Sequence, residues 1–461
     1  MKAWTALARE AVGMWRQIRA ARRAYGRGVP DTGERPVYLL KSFVYRNAFG
    51  DAGEYKDPFF GVLADFLRSR LSGDVELLTV AQGFDDMTEC YANMAALTGE
   101  AVVPFEVYMQ VWDIPAALFK IAAGLSARPL RVPQGLEILG APVDGLIREH
   151  LASGGWKMPL QHHLYGPAAR RIAGRHRLRA CAMTYEANPW EKCFVDGLRR
   201  AGMTGPVIGY QHAVTPPAAA GVFTDHGGWA DAPLPDRVVT TGPATAAMLR
   251  DFGAVPAERL RAGCALRYGY LHAMTPFARR QGEGATVLLA LEGVVPAADL
   301  LAYALDQAAV HPHLWIRVRT HPVLSFEALL KLAGRTPADV PANIELSPGG
   351  PVRDDVRDCD AVLYWGTAVS AEAVLMGRPV IHYNRAALLS FDPLFALTDF
   401  KWTLGPGESL GKAMAEIQSL ADDAYAAAQD KACAYVKNYF APVTDEALAV
   451  FLPDDGDGAV Q

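Results

Sequence analysis

Between Ala285 and Tyr383 short apolar runs alternate with helical stretches in a rhythm that few folds accommodate. The runs are Thr286–Leu291, Leu314–Arg319, Asn343–Leu346, Ala361–Trp365 and Pro379–Tyr383. Between them lie the helical patterns Ala297–Ala309, Phe326–Leu332, Val352–Cys359 and Val369–Met376. Short, nearly continuous apolar strands must be buried on both faces, and helical crossovers supply the cover. Because such crossovers are almost always right-handed, the pattern predicts one doubly wound parallel sheet.

The same rhythm runs through the first half. Apolar runs occur at Pro36–Leu40, Val75–Val80, Leu178–Thr184, Pro206–Tyr210, Arg237–Thr241 and Leu260–Leu266. Apolar helical material without evident catalytic residues fills roughly 88 to 152, and Leu271–Gly284 is polar and irregular, as a linker would be. With 461 residues, 51% of them apolar, the chain is long enough for two separate cores. The expected organisation is an N-terminal helix over 1–30, a Rossmann-like domain with a helical insertion over 31–275, a second Rossmann-like domain over 284–425, and a helix and tail over 426–461.

Ligands of doubly wound sheets bind beyond the carboxyl ends of the strands. Four such ends in the second half carry polar residues: Leu291-Glu292-Gly293, Arg317-Val318-Arg319-Thr320-His321-Pro322, Trp365-Gly366-Thr367-Ala368-Val369-Ser370-Ala371-Glu372, and Gly377-Arg378-Pro379-Val380-Ile381-His382. Gly366 permits a tight strand-to-helix turn, Thr367 and Ser370 offer hydroxyls, and the helix start offers free N–H groups suited to a phosphate. Glu372 falls where it can reach ribose hydroxyls. His321 can give a hydrogen bond or a proton to a departing phosphate, and Arg317 and Arg319 can pair with its oxygens. A capped helix or a turn histidine explains each motif singly, but not four polar strand ends in one sheet.

A strand ending in His321-Pro322, then Gly366-Thr367-x-x-Ser370-x-Glu372-Ala373, then Gly377-Arg378-Pro379-Val380-Ile381, resembles the donor domain of GT-B glycosyltransferases, in particular bacterial sialyltransferases and capsule Kdo transferases. Those families use CMP-activated acidic keto-sugars. The resemblance implies that His321 assists departure of the phosphate, Thr367 and Ser370 hold it, and Glu372 holds the ribose. Where the sialyltransferases carry two acids before a glycine, this chain has Leu291-Glu292-Gly293, with one.

In the first half, Tyr185-Glu186-x-x-x-Trp190-Glu191-Lys192 and Ile208-Gly209-Tyr210-Gln211-His212 resemble bacterial O-antigen and capsule biosynthesis proteins, as does Tyr55-Lys56-Asp57-Pro58-Phe59-Phe60-Gly61. Glu186 is the first candidate for the base that takes an acceptor proton, and Glu292 the second. Tyr185, Tyr210, Gln211 and His212 are expected to line a sugar pocket, whereas Trp190 reads as core and Glu191 and Lys192 as a solvated helix face. The expected activity is transfer from a nucleotide sugar to a surface glycan or lipid-linked acceptor. A nucleotide-sugar epimerase and a silent scaffold of a glycan assembly complex are the alternatives.

No Asp-x-Asp stands at a strand end, so neither a metal nor a cofactor is expected. A net charge of −5 gives no reason to expect nucleic acid. Six scattered cysteines read as reduced thiols, and no apolar run suggests a signal or membrane span, so a cytoplasmic protein is expected. Residues 1–27 carry seven basic residues against Glu10, with Trp4, Leu7, Ala11, Trp15 and Ile18 at helical spacing. That helix suits either an anionic inner-membrane surface or a seat on the first domain.

Overall fold

The computed structural model describes residues 2–26, 28–50, 54–83, 87–99, 101–125, 134–138, 141–153, 158–223, 229, 232–280, 284–385, 387 and 389–453. The expected disordered tail over 454–461 lies outside them.

Thirteen strands form two wholly parallel sheets. The first comprises β1 (Pro36–Val44), β2 (Glu76–Gly83), β3 (Val102–Pro104), β4 (Arg177–Thr184), β5 (Val207–Gln211), β6 (Arg237–Thr240) and β7 (Leu260–Ala262), ordered β3-β2-β1-β4-β5-β6-β7. The second comprises β8 (Ala285–Ala290), β9 (Leu314–Arg319), β10 (Ile344–Leu346), β11 (Ala361–Tyr364), β12 (Val380–Tyr383) and β13 (Lys401–Leu404), ordered β10-β9-β8-β11-β12-β13. Each order reverses once, between β1 and β4 and between β8 and β11, and those crevices are where such sheets take ligands.

β1 is buried from Val37 to Val44 because helices cover both its faces, so it runs past Leu40 into the segment read as loop. β3 and β13 are additions to the sequence reading. β3 has only three residues and sits inside the stretch read as helical.

The helix Lys2–Tyr25 seats Met14, Ile18, Ala21 and Tyr25 against the first domain, beside Leu7 and Ala11. Trp15 therefore points outward, 42% exposed, although spacing grouped it with Ile18, while the side chain of Trp4 lies outside the described part.

The C-terminal segment is not a separate unit. The helix Asp422–Tyr439 packs on the second domain, where Cys433 Sγ contacts Val374 O at 3.3 Å. The chain then crosses back: the Tyr38 hydroxyl donates to Phe451 O (2.6 Å), and Arg237 donates to Val450 O and Leu452 O (2.8 and 3.0 Å). Two further bonds tie the domains, from Ala218 N to Ser390 O (2.9 Å) and from Thr215 N to the Tyr439 hydroxyl oxygen (2.6 Å).

Candidate functional site

At the first crevice the chain builds a cavity of about 410 Å³. Its walls are the rings of Phe43, Phe59, Tyr165 and Trp190, with Gln82, Gln161, His162, Thr184, Glu186 and His212 between them. Trp190 packs edge-on to Phe43 (5.2 Å) and against Tyr165 (5.0 Å), so it serves both core and cavity. Behind these rings lies Lys41, fully buried, with Nζ 4.0 Å from the Phe43 ring centroid, 5.3 Å from that of Trp190 and one hydrogen bond to Ser42 O (2.9 Å). Burial pushes its pKa down to about 7 against the upward pull of Glu106, Asp57 and Glu191.

Glu186 is presented by a turn that Glu191 shapes. The Glu191 carboxylate accepts the N–H groups of Glu186 (2.9 Å) and Asn188 (2.7 Å), and the intervening Ala187 is left-handed at φ 59°. Glu191 is thus no solvated helix residue. It is buried, and burial pushes its pKa up to about 8. Glu186 itself faces solvent, with Oε2 accepting from Asn188 Nδ2 (3.2 Å) and Oε1 3.8 Å from His212 Nε2. The His212 ring stands edge-on to Phe59 at 4.8 Å, and its Nδ1 is buried without a hydrogen-bond partner among the described residues. Burial lowers its pKa, Glu186 opposes that fall, and Arg267 adds to it.

The structure removes three residues from the expected pocket lining. Tyr185 is core, packed beneath Gly209. Tyr210 is fully buried, its hydroxyl donating to Cys264 O and accepting from Leu266 N, both at 2.9 Å. Gln211 is buried and its amide nitrogen is used by Ala213 O and Thr215 Oγ1.

At the second crevice Glu292 reaches across from the end of β8 and accepts the Gly366 N–H at 2.6 Å. Burial raises its pKa and the surrounding backbone N–H groups oppose that rise. The turn that was expected to hold phosphate is therefore partly filled by the protein's own carboxylate. Ser370 is also spent, its hydroxyl donating to Thr367 O (2.8 Å), while Thr367 Oγ1 accepts from Val369 N (3.3 Å). Arg319 donates to Asp355 (2.6 Å) and Gly350 O (2.8 Å), and Arg317 to Glu345 (2.6 Å), so both arginines brace the sheet flank.

His321 rests against Gly293, where an added Cβ would lie 2.6 Å from His321 Nδ1 and 2.4 Å from Val323 Cγ2. Val323 N–H donates to Nδ1 (3.3 Å), which leaves Nε2 to carry the proton of the neutral ring. Burial and the Arg267 charge lower the His321 pKa. Glu372 is buried and accepts from the Tyr270 hydroxyl (2.5 Å), and burial raises its pKa.

Arg267 and Tyr270 escaped the sequence reading because they fall in the segment Leu266–Ala273, at the start of the apparent linker. Arg267 lies over the Phe59 and Tyr268 rings (5.4 and 5.7 Å) and makes no hydrogen bond or ion pair among the described residues. Its charge lowers the pKa of His212 and of His321 and opposes the rise at Glu372. Among the described residues no group of three or more His, Cys, Asp or Glu is placed to hold a metal ion.

No protein-family model and no curated protein matches this sequence. Among solved structures the chain is similar to the glycotransferase of kitacinnamycin, at 12% identity and a TM-score of 0.51, over 90% of this chain and 98% of that one. It is also similar to MnaA of S. aureus, solved with UDP (8% identity, TM-score 0.49, 89% and 94% covered), and to a glycosyltransferase from Rickettsia africae ESF-5 (10%, 0.48, 90% and 96%). At such identity the likeness to the first concerns the fold alone. The chain has the GT-B fold, two Rossmann-like doubly wound domains.

Proposed function

We propose that this chain is a glycosyltransferase that moves a sugar from a nucleotide sugar to a glycan hydroxyl between its two domains. The observation that carries this reading is the Arg267 guanidinium, which makes no hydrogen bond or ion pair among the described residues and whose charge acts on His212, His321 and Glu372, with Glu186 Oε1 3.8 Å from His212 Nε2. Arginine binds phosphate oxygens through paired N–H groups, so Arg267 clamps the leaving phosphate. His321 offers Nε2–H to the same phosphate, Glu372 takes the ribose hydroxyls, and Arg267 supplies the positive charge that a metal would otherwise bring. Glu186, helped by His212, accepts the acceptor proton as the new glycosidic bond forms and the sugar–phosphate bond breaks. Glu292 is the weaker candidate base, because its Oε1 is already committed to the Gly366 N–H. The sequence motifs around His321 and Gly366 make CMP the first nucleotide to test and a bacterial surface glycan the first acceptor.

Thermal unfolding with CMP, UDP, GDP and CDP decides the donor class. A nucleotide at a hundredfold its Kd contributes about 2.7 kcal/mol of stability, visible as a rise in Tm. A rise with CMP alone, unchanged by EDTA, is the expected result. A rise with UDP alone keeps the transferase and removes the keto-sugar. No rise with any nucleotide leaves the scaffold reading, and isomerisation of the donor without an acceptor identifies an epimerase.

We also propose that the N-terminal helix rests on anionic membrane. Among the described residues no helix is long and apolar enough to cross one. The outward face of Lys2–Tyr25 nonetheless exposes Trp15 with Arg19 stacked over it at 4.7 Å, beside exposed Arg16 and Arg23. Deleting the helix would expose the core that Met14 and Ile18 fill, so the test is Arg16→Glu, Arg19→Glu and Arg23→Glu combined. With roughly 1 kcal/mol of attraction per basic residue near an anionic surface, this variant should fail to float with phosphatidylglycerol-containing vesicles that carry the native chain. Equal flotation of both would refute the anchor.

A further inference from the structure

The cavity at the first crevice has a chemistry more selective than its position alone implies. Four aromatic side chains line it, and aromatic walls suit the C–H faces of a pyranose. Among the described residues three side-chain polar atoms buried behind its wall have no hydrogen-bond partner: Thr184 Oγ1, His212 Nδ1 and His162 Nδ1. Unpartnered buried polar groups are costly, and a side-chain rotation that brings them to a ligand hydroxyl removes the cost. Besides the two imidazoles and the Tyr165 phenol, the ionisable side chains lining the cavity are the carboxyls of Glu186 and Glu191; no Lys or Arg lines it among the described residues. The Lys41 ammonium is sealed behind Phe43 and Trp190, and Arg267 stays outside, over Phe59. A carboxylate carried into this space would lose its water, find no cation and meet Glu186. About 410 Å³ falls within the roughly 300–1,000 Å³ typical of small-molecule sites.

We infer that this cavity binds an uncharged or amine-bearing pyranose ring of the acceptor and turns away rings that carry a carboxylate. Its role as an acceptor site rests on the glycosyltransferase reading. The ring selectivity does not, and it is measured without any nucleotide. An acidic keto-sugar, if that is the donor, lies outside the cavity on the Arg267 side.

The test is ligand-observed NMR titration of the full chain with methyl β-glucoside, methyl β-glucosaminide and methyl β-glucuronide. The first two should bind, and the glucuronide at least tenfold more weakly. Gln161→Lys, which places a cation in the wall, should raise glucuronide affinity, and Thr184→Val should weaken glucoside severalfold while the fold survives. Glucuronide binding to the native chain as tightly as glucoside overturns the inference, as does absence of binding by all three. Glucoside binding untouched by both substitutions places the sugar elsewhere and also overturns it. Displacement of glucoside by a nucleotide sugar, but not by its nucleotide, assigns the ring to the donor and overturns the acceptor assignment.

Discussion

Arg267→Ala is expected to lower kcat/KM by about 10²–10³, roughly 3–4 kcal/mol of transition-state stabilisation, with little change in Tm. The two halves of that expectation come from one observation. The guanidinium makes no hydrogen bond or ion pair among the described residues, so the folded state loses only its stacking on Phe59 and Tyr268. A cation held between two rings, with no counter-ion among the described residues, is available to an anionic ligand, and a phosphate that gains charge as it leaves supplies one. Arg267→Lys keeps the charge and loses the fork, so it should recover only part of the rate. His321 provides a second readout. Arg267 pushes the His321 pKa down, so its removal should move the His321 titration upward, as followed by NMR. An Arg267→Ala enzyme with native turnover would refute the clamp. A native rate with a shifted His321 titration would locate Arg267 correctly while denying it a role.

The fold was legible because parallel strands buried on both faces leave unmistakable apolar runs, and β8, β9, β11 and β12 fall within a residue of the runs that announced them. β1 was cut short at Leu40 because Lys41 reads as solvent-seeking, and nothing local reveals the four rings that enclose it. The site was legible at strand ends and obscure elsewhere. Glu186, His212, Glu292, His321 and Glu372 all lie beyond strands at the two crevices. Whether a polar side chain at such an end is free depends on partners distant in sequence. Arg319 is spent on Asp355, Tyr210 on Cys264 and Leu266, and Gly366 on Glu292. Arg267 shows the converse, since its lack of a partner among the described residues emerges only from the fold. The hint that was present is the Arg267-Tyr268-x-Tyr270 cluster immediately before the polar linker, where a chain passing between two domains must face both.

Arg378 belongs to a strand-end motif that sequence associates with ligand, yet its expected effect is on stability. Arg378→Ala should destabilise the second domain by about 3–5 kcal/mol. The side chain is buried at 2% exposure, and its guanidinium donates to backbone carbonyls: Ala278 (2.8 Å), Arg357 (2.9 Å) and Val356 (3.2 Å). Those acceptors come from the linker and from the end of the helix Val352–Arg357, so the side chain reaches a carbonyl a hundred residues earlier in the chain. Truncation leaves three carbonyls unpaired and opens a void, and each unpaired buried group costs about 1–3 kcal/mol. Lysine has one nitrogen in place of the fork and should restore less than half of the loss. Urea unfolding with an unchanged m-value measures the effect directly, and a loss below about 1 kcal/mol would contradict the structural role. Nucleotide binding separates the two meanings of the motif. At temperatures where the variant remains folded, its nucleotide Kd should match the native value, because Arg378 is held within the domain and Arg267 is the residue left free to bind.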